Sequence, residues 1–364
     1  MRQTIIIIIG ICFLLTGCTG DTTNQSIKPR SLENNSNLQA HFINVGQADS
    51  TLLQFSDSEK EYNILIDAGD FNSNEVIEYL QEQNIQHLDL AIGTHPDADH
   101  IGQLDKVIEF VDVYEVWLSG NLSTSKVFQR VLEAIDHYEV DYYEPRAGEE
   151  FEIGPLRIEV LYPEKITGNT NEESISMKLS YDEINFIFTG DASKSNEMEM
   201  IQAGFDLNAE ILHLGHHGSA TSTSEDFLNH VNPEVAIYSA GKDNSYGHPD
   251  KEVISAVKNR DISLYGTDVD GTIIIHTNGN TFEVETMPSD TDSETQVEEA
   301  SSCININRAS VDELQNIIHI GKDRAKQLIE QRPYVSLNDL EKINGIGEAR
   351  MADILDEGLA CLGG

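Results

Sequence analysis

Basic residues, cysteines and long apolar runs are all scarce in this chain of 364 residues. Only 23 lysines and arginines stand against 63 acidic residues, a formal net charge of −40. A surface this anionic repels phosphate at long range, and screening at physiological salt confines the repulsion to about 8 Å from each charge. Binding of nucleic acid through a broad cationic face is thereby excluded. Any such contact must be local, made by metal ions, backbone amides or a few placed cations. Four cysteines exclude a disulfide-dense scaffold. After residue 18 no apolar stretch is long enough to cross a bilayer, which argues against a channel within this chain. What is present, 39% apolar residues, suffices for a packed core in one large domain and one small one.

The amino terminus stands apart. Arg2 supplies a positive start, Ile5 to Leu15 form a short apolar run, and Leu15-Thr16-Gly17-Cys18 follows, the pattern of an export signal. The last four residues resemble a bacterial lipobox. That resemblance implies a lipoprotein signal peptide over residues 1–18 with Cys18 lipidated; ordinary signal cleavage would leave Cys18 a bystander. Residues 19–37, rich in Ser, Asn and Thr, are expected to form a flexible tether. The expected location is extracellular, on the outer face of the cytoplasmic membrane, with the lipid as the only membrane contact.

From residue 38 to 287 short apolar runs alternate with helical patterns, as in a layered α/β domain. Strands are expected at HFINV, TLLQF, YNILID, LDLAIGT, VYEVWL, LRIEVLY, SMKLSY, INFIFTG, AEILHLG, VAIYSA and TIIIHT. Helices are expected at Glu75 to Gln83, Gly102 to Phe110, Ser125 to His137, Glu197 to Ala203 and Lys251 to Lys258. Residues 288–302, PSDTDSETQVEEASS, are acidic and aperiodic and read as an interdomain linker. Residues 303–364 are helical in pattern and internally doubled. Cys303 and Cys361 bracket this segment. In an oxidising compartment they suggest a disulfide, which the chain-entropy estimate values at roughly 4 kcal/mol; two unpaired thiols are the alternative.

The chemistry concentrates in THPDADHIG, where an apolar strand runs into His95, Asp97, Asp99 and His100. Such dense ligand-type spacing is costly unless a metal neutralises it. Two more apolar strands end the same way, INFIFTGD in Asp191 and AEILHLGHHGS in His216 and His217. Placed on one edge of a sandwich, His95, Asp97, Asp99, His100, Asp191 and His216 could bind two cations, with Asp191 bridging them. The plainer reading makes His216 and His217 turn-capping residues before Gly218 and Ser219.

With these motifs in order the chain resembles the metallo-β-lactamase superfamily, whose hallmark is HxHxDH, and within it the ComEC-type competence proteins. FINVGQADS, ILIDAG, FTGDAS, LHLGHHGS, YGHP at Tyr246 to Pro249 and TDVDGTI add to the likeness, over about Leu38 to Glu285. The resemblance implies an αββα sandwich. Two departures stand out: Asp97 where most members have His, and Asn171 and Ser174 where many have a further His ligand. Oxygen in place of imidazole hardens the site and shifts preference from zinc toward manganese, so Mn²⁺ is expected narrowly over Zn²⁺. Two ions at one site activate water and stabilise a leaving oxygen. Asp99 is then expected to orient or deprotonate that water, and His217 and His248 to contact phosphate or protonate the leaving group. A turn histidine before Pro249 is the plainer reading of His248.

Within the last segment, ININRASVDELQNIIHIGKDRAKQLIEQR is followed by LNDLEKINGIGEARMADIL. This resembles paired helix-hairpin-helix motifs of the ComEA type, in an all-α domain. The resemblance implies turns whose backbone N–H groups meet a DNA phosphate, in keeping with the preference of helix N-termini for anions. Gly345-Ile346-Gly347 is complete, whereas His319 stands where a Gly is usual before Ile320 and Gly321. Gly321, Lys322, Arg324, Lys326, Gly345 and Gly347 are the candidate DNA contacts. The segment holds seven basic and ten acidic residues, near neutral beside the rest. A helical protein-interaction module is its alternative. The leading expectation is an extracellular, sequence-nonspecific, metal-dependent DNase. The alternatives are a hydrolase of a small phosphodiester or lactone, and a noncatalytic cell-surface DNA receptor.

Overall fold

The computed structural model describes residues 37–288 and 304–362, apart from positions 59, 333, 335 and 358. The expected signal peptide with Cys18, the tether up to residue 36, the linker from 289 and Cys303 fall outside these residues. The chain divides into two compact units, Met1–Ser289 and Asp290–Gly364.

Two sheets face each other in the first unit. In chain order the strands of the first sheet's antiparallel start are β1 Leu38–Phe42, β2 Thr51–Ser56 and β3 Glu61–Ile66, followed by β4 Leu90–Gly93, β5 Glu115–Leu118 and β6 Asp141–Tyr143. The second sheet takes β7 Glu150–Ile153, β8 Leu156–Tyr162, β9 Ser176–Tyr181, β10 Ile184–Phe188, β11 Ile211–His213, β12 Val235–Tyr238 and β13 Ser263–Gly266. Strands β14 Thr272–Thr277 and β15 Phe282–Met287 return to the first sheet, giving the orders β15-β14-β1-β2-β3-β4-β5-β6 and β13-β12-β11-β10-β9-β8-β7.

Strands β3 to β6 run parallel, as do β10 to β13. Parallel neighbours need a crossover, and a helix supplies each one. On the first sheet these are α1 Glu75–Glu82, α2 Leu104–Phe110 and α3 Lys126–His137; on the second, α4 Lys194–Ala203, α5 Glu225–Val231 and α6 Lys251–Lys258. Five of them bury an apolar stripe, for example Val127, Phe128, Val131 and Ile135 of α3, whose start is fixed by Ser125 accepting from the Phe128 N–H at 3.1 Å, whereas α4 buries Asn196 and Glu197 beside Met200.

Alternation along β1 decides the layers. Leu38, Ala40 and Phe42 point between the sheets, where they meet Phe188, Ile211 and Ile275. Leu52, Leu65 and Ala91 face the other way, under the helices of the first sheet, and Ile187, Leu212 and Ala236 lie under those of the second. Three apolar layers thus make the expected αββα sandwich. His41 falls on the helix side of β1, buried, its Nδ1 2.8 Å from the Tyr79 hydroxyl.

Four strands of the two sheets, β6, β7, β13 and β15, and two helices, α5 and the short Thr267–Asp270, escape the sequence reading. All four strands are sheet edges with little or no fully buried side chain, so no apolar run marks them.

In the second unit, Ile304–Asn305 pairs in parallel with Ala360–Cys361, and Cys361 is disulfide-bonded. Between them lie a short helix Val311–Leu314, α7 Lys322–Glu330, a 3-10 turn Leu337–Lys342 and α8 Glu348–Glu357. Leu314, Ile317, Ile320, Leu328, Leu340, Ile343, Ile346 and Ile354 form its core.

Candidate metal centre

Loops that leave the carboxyl ends of the parallel strands carry the expected ligands. β4 runs into His95 to His100, β10 into Asp191, and β11 into His216 and His217. At His216 and His217 the backbone is left-handed at two consecutive non-glycine residues, φ 53° and 56°, followed by Gly218 at 78°. Such residues persist where surrounding structure holds them, at a cost of order 1–3 kcal/mol each. Here the strain turns both imidazoles back toward Asp191.

The donors fall into two sets about Asp191. Its Oδ2 lies 3.6 Å from His95 Nε2 and 3.5 Å from His216 Nε2, and Asp97 Oδ2 is 4.0 Å from His95 Nε2. Its Oδ1 lies 3.3 Å from His100 Nε2, and on that side His217 Nε2 is 3.4 Å from Asp99 Oδ2. The sequence-derived ligands therefore meet at one place. His217 belongs to the ligand cluster, buried with Nε2 toward Asp99, and not to a solvent-facing rim.

Hydrogen bonds behind the rings settle which nitrogens are free. Asp67 Oδ2 accepts from His100 Nδ1 at 2.8 Å, and the Ser239 carbonyl accepts from His217 Nδ1 at 3.0 Å. His95 Nδ1 lies 3.2 Å from both the Thr94 and the Ser174 hydroxyls. Those hydroxyls already donate to Asp67 and to the Asn171 carbonyl, so His95 Nδ1–H must be the donor. Each ring then aims Nε2 into the site, and the Nε2 atoms of His95, His100 and His217 are buried without a hydrogen bond, as is Asp191 Oδ1. Leaving buried polar atoms unpaired costs about 1–3 kcal/mol each. Convergent lone pairs on imidazole, together with carboxylates, fit a divalent metal ion.

Electrostatics agree. Burial, then the neighbouring His100, pushes His95 down to about 3, leaving a neutral ligand. Burial opposes charge on His217, but Asp49, Asp99 and Asp191 outweigh it and raise its pKa to about 9. With Nδ1 committed to Ser239, the titrating proton sits on Nε2, where a cation would replace it. Burial also works against the Asp191 carboxylate, yet His100 and His95 hold it well below the usual range.

Two residues escaped the sequence reading. Asp67 accepts from the Thr94 N–H at 2.8 Å and the Thr94 hydroxyl at 2.9 Å as well as from His100, fixing the loop and the ring together. Asp49, buried, lies 3.9 Å from His100 Nδ1, 3.7 Å from His217 Nδ1 and 3.5 Å from His213 Nε2. Asp49, His100, Asp191 and His217 each place a ligand-type atom within 4.8 Å of one another, but Asp49 faces the Nδ1 edges and so stands behind the ligands. The signal was present: ILIDAG is an apolar strand ending in a carboxylate, the same pattern as INFIFTGD. At the positions where a further His was looked for, Ser174 braces His95 and accepts from the Asp191 N–H at 3.0 Å, and Asn171 Nδ2 lies 3.5 Å from Asp191 Oδ2. His248 packs 5.7 Å from His216 and 6.4 Å from His217, ring to ring, its Nδ1 buried and unbonded.

The second unit repeats itself every 26 residues. His319 takes φ 65° where Gly345 takes 86°, so the histidine adopts the backbone that a glycine was expected to supply. Arg324 donates to the His319 carbonyl at 2.8 Å and the Asn344 carbonyl at 3.2 Å; its counterpart Arg350 donates to the Gly345 carbonyl at 2.5 Å. Arg324 thus ties the two turns together. Lys322 and Lys326 are exposed, and a Cβ at Gly321 or Gly347 would meet nothing within 4 Å, which leaves the turn backbone open.

A histidine and carboxylate centre at the strand ends of an αββα sandwich defines the class of metal-dependent hydrolases built on two facing sheets. Residues 43–242 match the Metallo-beta-lactamase superfamily, and residues 299–356 match a Helix-hairpin-helix motif. The chain belongs to the metallo-beta-lactamase superfamily. It is 30% identical over 253 residues to ComE operon protein 3 of Bacillus subtilis (strain 168), covering 65% of this chain and 32% of that protein. It is 26% identical over 236 residues to Competence protein ComA of Neisseria gonorrhoeae, covering 63% and 31%. A Deoxyribonuclease of Thioalkalivibrio sp. (strain K90mix) is 42% identical over 65 residues, 18% of each chain. The chain spans a third or less of the length of these relatives.

Proposed function

We propose that this chain is a phosphodiesterase that cuts DNA without regard to sequence, using two divalent ions, Mn²⁺ in preference to Zn²⁺. We further propose that it is exported and held by a lipid on Cys18 at the outer face of the cytoplasmic membrane. The observation that carries the hydrolytic reading is the convergence of ligand-type atoms on the two oxygens of Asp191, with Nε2 of His95, His100 and His217 and Oδ1 of Asp191 itself buried and unbonded. His95, Asp97, His216 and Asp191 Oδ2 would hold one ion; Asp99, His100, His217 and Asp191 Oδ1 the other. Bound there, such ions polarise the phosphate and lower the pKa of water.

The chain's own groups supply the rest. His217 and His100 hold the Asp99 carboxylate ionised against the effect of burial, so it can orient the attacking water and take its proton. As the new O–P bond forms, the P–O bond to the leaving sugar oxygen breaks, and that oxygen needs a proton. His248, packed against the ligand rings with an unbonded Nδ1, would give it, although burial and then His216 and His217 hold its pKa below the ordinary histidine value. The open turn at Gly321, followed by Lys322 and Lys326, suits a DNA phosphate, as does the open backbone at Gly347, and together they would hold the polymer without reading bases. The helix-hairpin-helix match and the competence-protein relatives support DNA as the substrate.

The test is to incubate the mature protein, from Cys18 or Thr19, with linear double- and single-stranded DNA, with EDTA or added Mn²⁺, beside Asp99→Ala. Cleavage that needs both metal and Asp99 is expected. Binding without cleavage would replace the enzyme with a surface receptor, and neither would turn attention to small phosphodiesters and lactones.

A further inference from the structure

Tyr246 is unusual among the aromatic residues near the centre: it is 72% exposed, yet its place is built. Asn244 Oδ1 accepts from the N–H groups of Tyr246 and His248, each at 3.1 Å, and Asn244 Nδ2 donates to the carbonyls of Gly241 at 2.9 Å and His248 at 2.5 Å. Gly247, at φ 78°, makes the reversal between the two rings. Gly241 in turn donates to Gln47 Oε1 at 3.0 Å, anchoring this turn to the loop that carries Asp49. The result is a rigid turn that holds an aromatic ring in water, where its apolar face is a cost with no return inside the folded unit.

The ring does not point at random. It lies nearly parallel to His248, 24° between planes and 5.9 Å between centroids, and His248 in turn packs on His216 and His217. A continuous run of rings leads from the ligand cluster to solvent. A flat aromatic face beside a phosphate-cutting centre in a strongly anionic protein suits an uncharged, planar partner. Phe71 and Leu122, 42% and 85% exposed, lie on loops leaving the carboxyl ends of β3 and β5, the end of the sheet that bears the centre.

We propose that Tyr246 stacks on the nucleobase beside the scissile phosphate, so that the metal centre takes unpaired nucleotides, in single strands or frayed ends, in preference to closed duplex. The inference rests on the phosphodiesterase reading above. A base inside a duplex has both faces covered by its neighbours and cannot offer one to Tyr246. Base stacking on an aromatic side chain is sequence-tolerant, because every base has a π-face, which agrees with cleavage that ignores sequence. Tyr246 is in this account a positioning residue; it moves no proton.

The full mature chain tests this with a single-stranded oligonucleotide, the same oligonucleotide with one stable abasic position, and a covalently closed duplex. In the wild-type protein, the bond beside the abasic position is cut with kcat/KM roughly tenfold lower than the same bond in the intact strand, mainly through KM. Tyr246→Ala lowers kcat/KM on the intact strand by a similar factor, and the abasic position then costs nothing further. Tyr246→Phe restores the discrimination, since the ring and not the hydroxyl makes the contact. A full abasic penalty in Tyr246→Ala, or closed duplex cut as fast as single strands by the wild type, overturns the proposal while leaving the phosphodiesterase reading intact. No cleavage of any of the three by the wild-type protein would instead remove the reading on which the proposal rests.

Discussion

Asp67 offers the sharpest separation between holding a fold and tuning a metal. Fully buried, its carboxylate accepts three hydrogen bonds, from the Thr94 N–H, the Thr94 hydroxyl and His100 Nδ1. Asp67→Ala strands the Thr94 N–H and His100 Nδ1–H inside the protein, each at roughly 1–3 kcal/mol. The expected loss of stability is therefore about 2–6 kcal/mol, read as the shift of a urea unfolding midpoint at unchanged slope. The ring of His100 also loses its orientation and much of its basicity, and outer-shell partners of this kind are worth about 10- to 100-fold in metal affinity. Asp67→Asn separates the two effects, because an amide still accepts from one donor but carries no charge behind the imidazole. It should recover part of the stability while leaving Mn²⁺ affinity, measured by calorimetry on metal-free protein, at least tenfold weaker. If both variants lose stability and bind Mn²⁺ as the wild type does, Asp67 is a structural residue alone and the argument from tautomer to ligand fails.

The second unit makes a contrasting pair of predictions. Arg324→Ala removes the tie between its two turns and should destabilise that unit by roughly 2–4 kcal/mol in thermal unfolding, whereas Lys322→Ala and Lys326→Ala should stay within about 0.5 kcal/mol. Each lysine variant should instead lower the slope of log affinity for DNA against log salt by about 1; an unchanged slope would remove that lysine from the phosphate contact. In the first unit, burial and, second, His276 push His41 down to about 4. The unfolded chain takes up that proton near 6.5 and the folded one does not. Its contribution is thus present above pH 6.5 and is lost as pH falls toward 4, by about 3 kcal/mol. His41→Gln should lack that share of the acid sensitivity, and a parallel loss in both proteins would place the sensitivity elsewhere. Finally, with a formal charge of −40 the folded chain repels itself, so raising NaCl from low millimolar to molar should raise Tm; a flat or falling Tm would mean the charges are already compensated.

Much of this was legible before any coordinates. Apolar strands ending in ligand residues are visible because parallel strands buried on both faces read as near-continuous hydrophobic runs, as LDLAIGT, INFIFTG and AEILHLG do, each with a polar residue or two. Edge strands such as Asp141–Tyr143 bury nothing and leave no such trace. At the centre, the ligands were readable from spacing, but the groups behind them were not. Asp49 and Asp67 act on ring nitrogens of residues far along the chain; Asp67 at least ends an apolar strand, as Asp191 does, whereas nothing local distinguishes Asp49 from a solvated carboxylate. His217 was expected to contact phosphate or protonate the leaving group because imidazole can donate and accept near neutral pH; that its ring turns inward to the ligand cluster follows from two consecutive left-handed residues, which spacing does not reveal. Arg324 likewise looked like a free cation, while its guanidinium is occupied by two carbonyls brought together only by the second hairpin.

The central claim is that Asp191 divides one centre between two ions. Titrating metal-free protein with Mn²⁺, with bound metal counted by elemental analysis after dialysis, tests it directly. The account predicts two ions per chain for the wild type and a loss of both in Asp191→Ala, with DNA cleavage rising only as the second ion binds. A single ion at saturation, or two retained without Asp191, would contradict it.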